Sequence, residues 1–136
     1  MRSQLKGSAA FFLFMLAGIV GCGSSPPVTE NDLLGLYVVK AREITDSLRL
    51  NPGGSFQHHL WDNAGLAISE RGSWAPRRSR QGDNTIEFRN ISTPADGFSP
   101  RVPRRGAWIT TVGRDRSGNV TITINADLGL AYTHIN

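Results

Sequence analysis

Residues 47–56 read SLRLNPGGSF, and their reading decides the fold. Leu48 and Leu50 fall on one face of an extended segment with Arg49 opposite. Asn51-Pro52-Gly53-Gly54 follows, in which proline fixes one φ and glycine permits the unusual values of a tight reversal. Beyond it Phe56, His58 and Leu60 alternate with Gln57, His59 and Trp61, so the segment is a β-hairpin. The same grammar continues outward in both directions. Leu34 to Arg42 (LGLYVVKAR) precedes it as a first strand. Asn63-Ala64-Gly65 turns the chain into Leu66 to Trp74, where Gly72 marks a bulge or a close backbone approach. Asn84 to Ile91 places Ile86 and Phe88 inward, and residues 92–105 are proline-rich and irregular. Trp108, Thr110 and Val112 alternate next. Asp115 to Gly118 closes a turn, Val120, Ile122 and Ile124 alternate, and Leu130 to Ile135 is the last strand. The count is eight, and no segment after the first 22 residues carries ten or more residues with a 3.6 period. The expected fold is all-β: an antiparallel up-and-down meander closing into a small barrel, which removes exposed edges, with a β-sandwich as the alternative.

The beginning of the chain follows other rules. Arg2 and Lys6 give a positive start, Ala9 to Val20 (AAFFLFMLAGIV) is an unbroken apolar run, and the one cysteine of the chain, Cys22, stands just after it. The run is shorter than the roughly 20 residues a membrane-spanning helix requires, so it reads as an export signal. Ile19-Val20-Gly21-Cys22 resembles the lipobox of bacterial lipoproteins. That resemblance implies cleavage between Gly21 and Cys22, a diacylglycerol thioether on Cys22 and an acyl chain on its new amino group. Two or three chains anchor stably, each buried CH₂ contributing about 0.8 kcal/mol. Gly23 is not the aspartate that retains such proteins at an inner membrane, so the expected place is the bacterial cell envelope, on the periplasmic side of an outer membrane where the organism has one. Residues 1–21 are then the signal peptide, 22–32 (CGSSPPVTEND) the lipidated cysteine and a flexible linker, and 33–136 the barrel domain.

Gly35-Leu36-Tyr37, LRLNPGGSF, Gly72-Ser73-Trp74 and Tyr132-Thr133-His134-Ile135 together resemble small lipocalin-like, calycin-type bacterial lipoproteins, with Tyr37 standing where lipocalins carry tryptophan. The resemblance implies a barrel that holds a small hydrophobic or lipid-like ligand. Its candidate cavity residues are Tyr37, Phe56, Trp74, Phe88, Trp108 and Tyr132. Eight strands enclose an interior that is either filled by side chains or holds one small ligand. The rival expectation is therefore a filled barrel, an accessory protein contacting an envelope protein or an anionic glycan or lipid.

Chemistry is sparse. The serines lack a Gly-x-Ser-x-Gly elbow or a Ser-x-x-Lys, the thiol is committed to lipid, and Gly53-Gly54 precede a strand instead of opening a phosphate-binding helix. The expectation is no enzyme and no cofactor. His58 and His59, adjacent on one strand, point to opposite faces and do not share an ion, so no metal site is expected. A zinc or copper site would need His58 and His134 to meet inside the barrel. The chain carries 15 basic and 11 acidic groups, a net charge of +4. Removing 21 residues from 136 leaves 115, with 13 basic against 11 acidic groups. This mature balance and the compartment argue against nucleic acid. Arg101, Arg104 and Arg105 form the candidate loop for an anionic partner. Arg77, Arg78 and Arg80 belong to the opposite end of a meander, with Arg114 and Arg116.

Overall fold

The computed structural model describes residues 26–78, 84–93 and 104–135. Eight antiparallel strands, β1 (Gly35–Ala41), β2 (Ile44–Asn51), β3 (Ser55–Asp62), β4 (Gly65–Arg78), β5 (Asn84–Thr93), β6 (Arg104–Arg114), β7 (Val120–Asn125) and β8 (Leu130–Ile135), pair in sequence order. β1 also pairs β8, Tyr37 opposite His134, so the sheet closes into a barrel, and a sandwich is excluded. The β2–β3 hairpin has the expected register, Leu50 opposite Phe56 and Leu48 opposite His58. Its turn places Gly53 and Gly54 at φ of 82° and 79°, values that side chains with a Cβ resist.

Several strands run further than the sequence suggests, β5 among them, which continues past Ile91 to Thr93. β2 begins at Ile44, straight after a two-residue turn in which Arg42 adopts a φ of 52°. β4 passes through Pro76 to Arg78. Its pairing with β3 ends at Ser73, while Trp74 to Arg78 pair only β5, so a residue lacking an N–H is tolerated on the side β3 no longer covers. β6 starts at Arg104, opposite Thr93, so Arg104 and Arg105 are strand residues and not loop residues.

The expected linker is also corrected. Its second half is part of the barrel's closure: a single helical turn, α1 (Glu30–Leu33), buries Leu33 against the core. Thr29 caps the turn and Asp32 returns a bond to the Thr29 backbone N–H at 2.8 Å, a capping box. Tyr37 donates to the Leu33 carbonyl at 3.0 Å, and Arg114 bridges to Asp32 at 3.0 Å. Gly72 shows the close approach its position in β4 suggests. A Cβ there would meet the Arg89 carbonyl oxygen and lie 2.6 Å from the Phe56 ring. Because one of those neighbours is backbone, Gly72→Ala is expected to destabilise by about 2–3 kcal/mol, read as a lower urea midpoint at unchanged slope.

Candidate functional site

The barrel interior divides along its axis. Towards the end covered by α1 it is aromatic and aliphatic. Tyr37, Phe56, Trp74, Phe88 and Tyr132 are buried, and Trp108 packs half-buried against them. Phe56 meets Phe88 edge-on with centroids 5.6 Å apart, and Phe88 stacks on Trp108 at 5.3 Å. The Trp74 indole N–H donates to the carbonyls of Asn51 (3.2 Å) and Ser55 (3.1 Å), locking the side chain over the hairpin turn. All six expected cavity residues are thus on the inside, and they are packed into one core cluster, ring against ring.

The other half of the interior holds a cluster that sequence reasoning missed. His58 on β3 is 1% exposed, and both of its ring nitrogens are bonded. Nε2 donates to Asp46 Oδ1 of β2 at 2.8 Å, and Nδ1 donates to Glu70 Oε1 of β4 at 2.7 Å. Glu70 also accepts from the Ser92 backbone N–H (2.6 Å) and hydroxyl (2.7 Å) on β5. A register shift in β5 at Asn90, at a φ of 64°, accompanies this contact: past it both Ile91 and Ser92 are buried. The Tyr132 hydroxyl of β8 lies 3.5 Å from His58 Nε2. Five strands therefore contribute one group each.

The electrostatics follow from the geometry. Burial pushes His58 towards neutrality, but hydrogen bonds to Asp46 and Glu70 and the charges of both outweigh it, and its pKa rises from 6.5 to about 9. Burial pushes Glu70 up, yet the bonds from His58 and Ser92 and the His58 charge bring it down from 4.5 to about 2. Burial, with the charge and hydrogen bonding of Asp46 and the charge of Glu70, holds Tyr132 well above the ordinary phenol range. At neutral pH the cluster is an imidazolium clamped between carboxylates. A protonated imidazole with both N–H groups engaged offers no lone pair to a metal or a substrate proton. Every buried side-chain nitrogen and oxygen among the described residues has a partner. The arrangement is a cross-link.

The remaining candidates fall elsewhere. His134 does not meet His58; it stacks edge-on against Tyr37 at 5.1 Å, with Nε2 3.0 Å from the Leu34 carbonyl oxygen. Gly21, Cys22, Arg80 and Arg101 lie outside the described residues. Arg77 is drawn onto Glu87, on the outer face of β5, which also accepts from Arg89 at 2.9 Å. A groove of about 430 Å³ lies between the N-terminal segment and the β4–β5 edge, where Val28, Leu33, Pro76 and Val112 give its apolar lining and Thr29, Glu30, Arg77 and Asn84 its polar lining. No group of three His, Cys, Asp or Glu side chains among the described residues is placed to hold a metal ion. A scan against protein-family models and searches of curated proteins and of solved structures return no match for this chain.

Proposed function

We propose that the chain is a lipid-anchored, non-enzymatic accessory protein of the bacterial cell envelope, a filled barrel that works through its outer surface. The observation that carries this reading is the occupied interior: a packed aromatic half and a fully bonded ionic half. A ligand inside the barrel would have to part stacked rings or strip partners from buried charges, at a cost of several kcal/mol. The Ile19-Val20-Gly21-Cys22 motif supports the anchor. The docked segment from Pro26 onward adds a consequence. Only residues 23–25 separate Cys22 from it, a reach of about 14 Å, so an acylated Cys22 would hold the α1 end of the barrel close to the bilayer.

One observation favours a second reading. The groove beside α1 has apolar lining residues and lies next to the proposed anchor, so a small apolar ligand would sit there and not inside the barrel. Mass spectrometry of the protein extracted from membranes in mild detergent separates the two. The expected result is a chain beginning at Cys22, heavier by a diacylglycerol and an acyl group, with no additional non-covalent mass. A retained apolar molecule would favour the second reading. A chain that keeps its leader and a free thiol would sink the anchor.

A further inference from the structure

The outer wall formed by β2, β3, β4 and β5 carries an unbalanced charge. Registers place Arg49 opposite Gln57 and Gln57 opposite Arg71, in one row across three strands. Ser73, two residues on from Arg71, faces Arg89. All three arginines are exposed, and neither Arg49 nor Arg71 makes a hydrogen bond or ion pair among the described residues. The wall's carboxylate, Glu87, is already shared by Arg77 and Arg89. Gln57 stands between Arg49 and Arg71, Ser73 stands beside Arg89, and Ser47, His59 and Ser69 form the next row across the same three strands, all groups that donate and accept. Further along β3, about 13 Å from Gln57, Trp61 is 38% exposed and stacked on His59 with centroids 5.5 Å apart. A concavity of about 240 Å³ opens on the same wall between Ser73, Ala75, Glu87 and Arg89.

We propose that this wall is a docking surface for an anionic glycan, a polysaccharide bearing carboxylate or phosphate groups. The inference rests on the reading of the barrel as a filled platform and names its partner. Guanidinium forks match carboxylate and phosphate oxygens. The half-exposed indole offers its face to the C–H side of a sugar ring, and the serines and Gln57 meet hydroxyls. A convex barrel wall touches a flat bilayer along a narrow strip only, whereas a flexible polymer follows four strands, about 14 Å across, and places a unit in the concavity. Arginines combined with an aromatic platform and a notch fit a sugar polymer better than a lipid surface.

The test uses the full chain in non-ionic detergent with polygalacturonate as the probe, neutral dextran as the control, and mixed micelles containing phosphatidylglycerol as the competitor. Binding to polygalacturonate that weakens as salt rises is expected, with none to dextran. The triple variant R49E/R71E/R89E is expected to bind roughly tenfold more weakly or worse, W61A roughly threefold, and R116E, which alters the β6–β7 turn away from the wall, as the parent does. Should the triple variant unfold, R49E/R71E reads the same wall through two side chains that bond to no described residue. Absence of binding, or binding indifferent to these charges, overturns the proposal. So does phosphatidylglycerol displacing the glycan through the arginines with no effect of W61A, which would make the surface a lipid-docking face. A retained apolar ligand in the mass experiment would replace the accessory-protein reading with the groove reading and leave this measurement standing; loss of glycan binding with no retained ligand would remove the wall alone.

Discussion

His58→Ala is expected to cost about 3–5 kcal/mol of unfolding free energy at neutral pH, a fifth or more of the roughly 5–15 kcal/mol typical of a whole domain. The substitution removes the cation and leaves Asp46 (4% exposed) and Glu70 (5% exposed) facing each other across the space the ring vacates. Ser92 still donates twice to Glu70, so one carboxylate keeps part of its solvation. Asp46 keeps only the neighbouring Tyr132 hydroxyl as a donor in the cluster. Urea unfolding measures the loss as a lower midpoint. A second variant separates lost attraction from stranded charge: Asp46→Leu, His58→Leu and Glu70→Met together remove the cation and both anions. It is expected to regain most of the stability that His58→Ala loses, because exchanging a buried ion cluster for apolar side chains of similar volume is close to neutral. Recovery stays incomplete, since the N–H and hydroxyl of Ser92 and the hydroxyl of Tyr132 then lack acceptors. An His58→Ala protein within about 1 kcal/mol of the parent would mean that the carboxylates reach water, and the closed barrel would be wrong at this end.

The face on which His58 sits was legible, and its partners were nearly so. The Asn51-Pro52-Gly53-Gly54 turn sets the β2–β3 register, and alternation then puts position 46 on the same face as Leu48 and Leu50. Asp46 was obscured because Thr45-Asp46-Ser47 has the composition of a loop, and a strand starting at Ile44 was not expected. Glu70 stands directly opposite His58. In Ser69-Glu70-Arg71 it reads as one charge of a solvated pair, and only the β3–β4 register, which carries a shift at Leu60/Trp61, reveals that it points inward. Ser92 was beyond reach, since its burial depends on the irregularity at Asn90, which no alternation encodes.

Strand number, order and the inward aromatics rest on local alternation and turn chemistry, which a sequence displays openly. The N-terminal closure did not, although Thr29-x-x-Asp32 is a capping pattern, because a four-residue helix is too short to show a period and two prolines stand before it. Long-range ionic contacts were the least visible. The register of each hairpin must be known before a carboxylate on one strand can be assigned to a histidine on the next.

Stability is expected to trace a plateau between about pH 4.5 and 6.5 and to fall on both sides of it, and the signs follow from the two shifted groups. His58 titrates near 6.5 when unfolded and about 9 when folded, so its contribution is complete below 6.5 and lost as the pH climbs through 9. At about 1.4 kcal/mol per pH unit, the loss across that window is of the order of 3 kcal/mol. Glu70 runs the other way: from 4.5 unfolded to about 2 folded, its contribution is complete above 4.5 and disappears as the pH drops through 2. The two limbs report one interaction from its two ends and do not add. Tyr37 and Tyr132, both raised above the ordinary phenol range, stay neutral through the alkaline limb. Unfolding free energies measured from pH 4 to 9.5 in the parent and in Asp46→Asn/Glu70→Gln decide the matter. The double variant keeps all three histidines but gives His58 two neutral acceptors, so burial alone then governs it and the ring titrates below 6.5. Its alkaline limb is expected to vanish, with stability instead rising as the pH passes upward through the ordinary histidine range. A limb that survives in the double variant would dissolve the link between the clamp and the pH profile.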